Sequence, residues 1–145
     1  MARFSAGTRT GAGSTTLPII SIYSAAAVNF SIVEIGVTNT TTTAVALKLC
    51  KLTSAGTPGA GLTETSHEYG APTASCTAFN THSSTGPTVV DLGYNTVLGG
   101  AIGSGVIWTF GDRGIVVPVG VANGVGVIVA TGTGQICDAY IVWDE

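Results

Sequence analysis

The chain has 145 residues, a formal net charge of −3 at pH 7 and only 9% charged residues, and its length is that of one domain able to bury its own core. Its five basic residues form no stripe and its charge balance is acidic, so we expect no nucleic-acid partner. The most apolar segment, residues 114–130, is interrupted by proline, asparagine and glycines, so we expect no membrane span.

Residues 1–16 are rich in glycine, serine, threonine and alanine and carry two arginines. This composition predicts a flexible N-terminal arm, with the folded domain over residues 17–145, because chain termini are disordered unless other contacts hold them. Two interpretations stay open: a frayed terminus with no role, or a strap that docks on a neighbouring subunit. In the second case we expect three arm residues at the interface, namely Arg3, Phe4 and Arg9.

The rest of the sequence alternates between apolar and polar or small residues in short runs separated by glycine, threonine and serine. This period of two is typical of β-strands, and it predicts strands over residues 17–23, 28–39, 44–52, 75–79, 88–92, 106–110 and 135–143. A long Gly/Pro/Thr-rich connection, 53–74, has a length that is usually functional or involved in assembly. No helical periodicity persists for three turns. The pattern therefore predicts a single all-β domain, an antiparallel β-sandwich or jelly roll.

Two valine-rich runs flank Asn123-Gly124 within residues 115–130, which is typical of a β-hairpin. A two-residue loop is one alternative, but a three-residue loop, Ala122–Gly124, gathers the six valines of the two runs on one face, so we predict the second register. That register also gives Gly124 a left-handed conformation. The opposite face is small and flat rather than polar, which favours close contact with another sheet or subunit through Pro118, Gly120 and Ile128.

Few residues could carry catalysis or bind a metal. Cys76 lies between His67 and His82 in the sequence, but no local signature of a cysteine nucleophile surrounds it, so we predict no catalytic residues and no enzyme. Both histidines and Glu68 could in principle bind a transition metal, yet loop histidines are more often solvated or hydrogen-bonded, and no calcium-loop spacing occurs. The glycines form no phosphate-binding loop between a strand and a helix. We therefore predict neither a metal nor a cofactor.

The cysteines and aromatic residues favour structural roles. Three cysteines without a CxxC pair predict reduced, buried side chains rather than a disulfide framework or a zinc site. Four aromatic residues could stack on sugars or belong to the core, and their positions within alternating strands favour the core: Trp108, Phe110, Tyr140 and Trp143.

Two stretches, 34–64 and 106–145, with the segments GLTE, WTFGDRG and VWDE, resemble small virion structural proteins of tailed bacteriophages. The resemblance implies an accessory capsid protein, a jelly roll that decorates or cements the viral shell as a homo-oligomer, with a trimer favoured. The implied partner is the lattice of the major capsid protein, and the implied location is the virion. A phage tail or fibre component is the nearest alternative, and a carbohydrate-binding β-sandwich module is another.

Overall fold

The computed structural model describes residues 1–145 and contains β-strands but no helix. Every strand pair is antiparallel. None of its segments is a helix of the length and apolarity that crossing a bilayer requires. The eleven strands are β1 (Arg3–Arg9), β2 (Ile20–Tyr23), β3 (Phe30–Asn39), β4 (Val45–Leu52), β5 (Thr65–Ser66), β6 (Thr77–Asn80), β7 (Val89–Leu98), β8 (Gly105–Thr109), β9 (Ile115–Val117), β10 (Gly124–Thr131) and β11 (Cys137–Asp144).

The strands form two sheets that pack face to face. The first sheet has the order β5-β1-β11-β3-β8, with β9 pairing to β3 beside β8, and the second has the order β6-β2-β10-β4-β7. Without the short strands β5, β6 and β9, the orders are β1-β11-β3-β8 and β2-β10-β4-β7. Such interleaving of eight strands in two nested Greek keys is a jelly roll. The predicted all-β sandwich is therefore confirmed.

The core lies between the two sheets and follows the period-two alternation of the strands. β11 shows this clearly, because its residues alternate between a buried inner row and a more exposed outer row. The inner row includes Ile141 and Trp143, and the Trp143 ring stacks on Phe4 with centroids 5.9 Å apart. Full burial of each such side chain contributes about 1.5–3 kcal/mol, so the alternation accounts for much of the driving force for folding.

The prediction of a flexible arm over residues 1–16 is wrong for its first half. β1 pairs with β11 along its whole length, from Arg3 opposite Asp144 to Arg9 opposite Asp138. Phe4 is only 1% exposed, and it lies in the core. Only two residues of this segment form an apolar row, and the small and polar residues around them obscure it. This short row is enough to hold the strand in the sheet, because β11 offers it a complete edge of backbone hydrogen-bonding groups. The sandwich therefore includes the first half of the predicted arm.

The predicted hairpin over residues 115–130 is also wrong. β9 pairs with β3 in the first sheet, whereas β10 lies between β2 and β4 in the second sheet. The connection between them crosses from one sheet to the other and turns at Gly120, whose φ is 129°, while Gly124 has no positive φ. The valines of β10 face the core, but Val119 and Val121 are exposed. Period-two alternation identifies a strand but not the strand with which it pairs, so the sequence alone does not determine the partner of β9 or β10.

The outer face of the second sheet is covered by the chain itself. Two loop segments, residues 53–62 and 81–88, hydrogen-bond to each other and lie over this face, and we call them the loop cover. The Thr57 amide donates to the Thr85 carbonyl at 2.8 Å, and Tyr23 Oη donates to the Ala55 carbonyl at 3.0 Å. The first part of the long connection is therefore packed structure, and it buries Tyr23, Cys50, Leu52 and Ile128.

Candidate functional site

The structure separates the six residues that we expected at an interface. Arg3 and Arg9 lie on the outer face of the first sheet, where each forms a two-pronged ion pair with the aspartate opposite it on β11. Pro118 is exposed and Gly120 is half-buried, both in the connection between the sheets. Phe4 lies in the core, and Ile128 is 0% exposed beneath the loop cover, so the prediction of an interface role is wrong for these two.

The candidate catalytic residues do not form a reactive site. The Cys76 thiol is buried, and burial together with the neighbouring Glu145 carboxylate raises its pKa to about 12. His82 is buried as well, and its Nε2 hydrogen-bonds to Ser21 Oγ at 2.9 Å, while burial lowers its pKa. His67 is exposed, and no hydrogen bond joins Cys76 to either histidine. No group of three or more His, Cys, Asp or Glu side chains is placed to hold a metal ion.

The most distinctive surface is the side of the sandwich where both sheets end, at β7 and β8. Residues 89–110 include a single charged side chain, Asp91, which pairs with Lys48 at 3.6 Å. Large apolar side chains are nevertheless exposed here, among them Val97 at 71% and Ile107 at 62%. We call this surface the lateral edge, and its exposed apolar residues are Val90, Tyr94, Val97, Ile102 and Ile107.

The two strands of the lateral edge differ in how they present their unpaired backbone groups. β7 contains an irregularity opposite Lys48 and Cys50, and at this point Gly93 has a φ of 83° and donates its amide hydrogen to Asp91 Oδ1 at 2.7 Å. Bulges and charges of this kind protect edge strands from pairing with other chains. β8 has neither a charge nor a proline, and its register with β3 is continuous.

The hydrogen bonds flanking β8 show which of its backbone groups face outward. The Ser104 carbonyl accepts from the Asn39 amide at 2.7 Å, and the Phe110 amide donates to the Val33 carbonyl at 3.1 Å. Since backbone groups alternate in direction along a strand, Val106 and Trp108 also face β3. The N–H and C=O groups that point away from the sheet therefore belong to Gly105, Ile107 and Thr109.

The outer face of the first sheet has no loop cover, and we call it the open face. A row of four residues crosses it on adjacent strands: Gly7, Tyr140, Gly36 and Ile107. The Tyr140 ring lies over Gly36, where any side chain would overlap it, and Tyr140 Oη donates to Glu34 Oε1 at 2.6 Å. Burial and this carboxylate raise the pKa of Tyr140 to about 12. Tyr140 and Ile107 both line a shallow depression of about 260 Å³.

Of the four aromatic residues considered for sugar stacking, only Tyr140 lies on the open face. Trp143 is fully buried, and Trp108 and Phe110 pack against the core from its margin. The exposure of Ile107 at a sheet edge and the contact of Gly36 with a tyrosine ring were not predicted from the sequence, because both depend on which strands are neighbours. The one signal in the sequence was the near absence of charge over residues 89–110.

The lateral edge and the open face are the two surfaces from which a function can be argued, since jelly rolls support many unrelated functions and the fold alone selects none. A comparison of the chain with protein-family models, curated proteins and solved structures found no match in any of the three.

Proposed function

We propose that the chain is a structural subunit of a larger protein assembly, and that it decorates or cements a viral shell as an oligomer. The observation that carries this proposal is the lateral edge, where exposed apolar side chains and unpaired strand edges coincide with a near absence of charge. A concentration of exposed apolar residues on one side of a soluble protein is typical of an interaction site. Unpaired strand edges add backbone groups that another chain can satisfy.

The charge distribution supports docking at low desolvation cost. Interface cores are depleted of charged residues, because removing an unpaired charge from water is expensive. Around the lateral edge the single aspartate already has a lysine partner, and the arginines of the open face are paired within the chain. A partner covering the lateral edge would therefore leave few charges without a counter-ion.

The resemblance to small virion proteins of tailed phages supplies the rest of the proposal. The partner would be the lattice of the major capsid protein, the location would be the virion, and the favoured oligomer is a trimer. A subunit that binds only the assembled shell stabilises that shell by mass action. Weak contacts suffice for this role when each oligomer attaches at several points, because the later attachments are intramolecular.

The test is the state of the protein alone and its binding to shells. Light scattering at about 1 mM protein should give the mass of an oligomer, and the protein should sediment with shells of the phage that encodes it. Val97→Lys and Ile102→Lys should weaken sedimentation with shells, whereas Tyr69→Lys, on a fully exposed side chain outside the lateral edge, should not. A monomer that leaves shells unbound would overturn the proposal.

The Tyr140 ring favours a second candidate function, a carbohydrate-binding module. A ring held against glycine and fixed by a hydrogen bond is preorganised for stacking on a sugar, which limits the entropy lost on binding. Under this alternative a glycan array should give hits that Tyr140→Ala abolishes and that Tyr69→Ala leaves unchanged. An array without hits would eliminate the candidate.

A further inference from the structure

We propose that two copies of the chain pair through β8, antiparallel about a two-fold axis at Ile107, so that their first sheets become one continuous sheet. This inference rests on the proposed assembly function and assigns β8, one of the two strands of the lateral edge, to a second copy. The starting point is the unpaired backbone of Gly105, Ile107 and Thr109, which makes no hydrogen bond within the chain. Such an edge accepts only another extended strand.

One register of self-pairing satisfies every outward group of β8. A two-fold axis at Ile107 places Ile107 opposite its own copy and Gly105 opposite Thr109. These three pairs are all of the hydrogen-bonded kind, in which the two residues exchange both bonds. Three N–H and three C=O groups on each copy are therefore used completely, with none left over.

The side chains of β8 are compatible with the same register. On the open face the two Ile107 side chains become neighbours, and each Thr109 faces a glycine, so no bulky pair is forced together. On the inner side Val106 of one copy lies beside Trp108 of the other, and both are only partly buried in the single chain. No charged residue belongs to the strand, so no like charges meet.

The other three sheet edges are less suited to this pairing. β5 has only two residues, and β7 is interrupted at Gly93. β6 is bridged by Gly61, and the neighbouring Leu62 amide donates to the Ala78 carbonyl at 2.9 Å. β9, which continues the edge of β8 along β3, has only three residues, so β8 with five residues is the longest edge strand that lacks both a bulge and a covering segment.

Cysteine cross-linking tests the register in the full chain. Opposed residues of a hydrogen-bonded pair have Cβ atoms about 5.5 Å apart, which is wider than the roughly 3.5–4.5 Å of a disulfide but within reach of a short thiol-specific cross-linker. Ile107→Cys should therefore yield a covalently linked dimer with a short bis-maleimide reagent. Thr109→Cys is the matched control. In this register the two copies of residue 109 are displaced from each other by four residues, about 13 Å, along the strand, so they should not link. The three native cysteines are buried and should stay unlinked.

Mass measurements from about 1 µM to 1 mM protein complete the test. The unmodified chain should form dimers with rising concentration, and Ile107→Lys, which opposes two ammonium groups, should raise the dissociation constant about 100-fold or more. Ile107→Pro removes an N–H that the single chain does not use, so the folded monomer should survive and the dimer should not. Unchanged thermal unfolding of the diluted variants confirms that they fold.

The outcomes separate this inference from the proposed function. A dimer linked through Ile107→Cys supports the β8 pairing and the assembly function, and it replaces the favoured trimer by a dimer. A trimer whose mass is insensitive to Ile107→Lys and Ile107→Pro overturns the β8 pairing, since a two-fold contact closes as a dimer, and leaves the assembly function standing. A chain that stays monomeric and unlinked also overturns the pairing, even if it sediments with shells through an edge contact to another protein.

Discussion

Replacing Gly36 by alanine should expose how tightly the Tyr140 ring is held on the open face. Gly36 has no positive φ, so alanine can adopt its backbone conformation, and in a strand this change normally stabilises by about 0.5–1 kcal/mol. Here the added methyl group would overlap the Tyr140 ring, which must move and lose its hydrogen bond to Glu34. Forced repacking costs about 1–3 kcal/mol, and the partly exposed hydrogen bond contributes about 1 kcal/mol.

We therefore expect Gly36→Ala to destabilise the protein by about 1–3 kcal/mol and to lower its Tm by roughly 3–10 °C. In the Tyr140→Ala background the overlap is gone, and the same substitution should be neutral or stabilising by up to about 1 kcal/mol. Urea unfolding of the four proteins at one fixed concentration gives the coupling free energy, expected to be about 2 kcal/mol. Equal effects of Gly36→Ala in both backgrounds would show that the ring is not held against Gly36.

Three further predictions concern buried groups. His82 has a lowered pKa because of burial, so the unfolded chain binds more protons than the folded one, and stability should fall as pH drops through 6.5, by up to about 1.4 kcal/mol per pH unit. Urea midpoints at pH 7 and 5.5 should differ for the native chain and much less for His82→Gln, and equal differences would contradict this. Phe4→Ala should lower the free energy of unfolding by about 3–5 kcal/mol, whereas Ser5→Ala should change it little. If residues 1–16 were a disordered arm, neither substitution would change the stability. Burial of Glu145 raises the pKa of its carboxyl group, but hydrogen bonds from the Ser75 and Cys76 amides and from Trp143 Nε1 have the larger effect and lower that pKa. Glu145→Gln should therefore lower the free energy of unfolding by about 1–3 kcal/mol. Thermal unfolding measures this, and an unchanged Tm would refute it.

The fold class was predictable because strand periodicity is a local property. The sequence located most of the long strands, since residues that alternate in the sequence alternate across a sheet whatever their neighbours are. It could not assign the neighbours. β10 pairs with β2 along one edge and with β4 along the other, which leaves no edge free for a hairpin with β9. The first strand was missed because its apolar row has two members, Phe4 and Ala6, among small and polar residues.

The candidate site was harder to predict than the fold. Ile107 is exposed because β8 is the last strand of its sheet, and Ile128 is buried because distant loops fold over it. Both residues lie in similar alternating runs, so the sequence alone does not distinguish them. Whether a strand lies at the edge of a sheet depends on how all the strands of the chain pair. An exposed apolar residue can therefore be recognised as part of an interaction surface only once that pairing is known.

The energetics of the β8 pairing fit an assembly subunit better than a permanent dimer. Six hydrogen bonds at about 1 kcal/mol each and one cross-strand isoleucine pair at up to about 1 kcal/mol give a gain of about 7 kcal/mol. The loss of translational and rotational freedom on association is of the same order, about 4–15 kcal/mol. The two copies should therefore associate weakly in dilute solution. On a shell that holds neighbouring copies in place, much of that entropy is already lost, and the same contact should become effectively permanent.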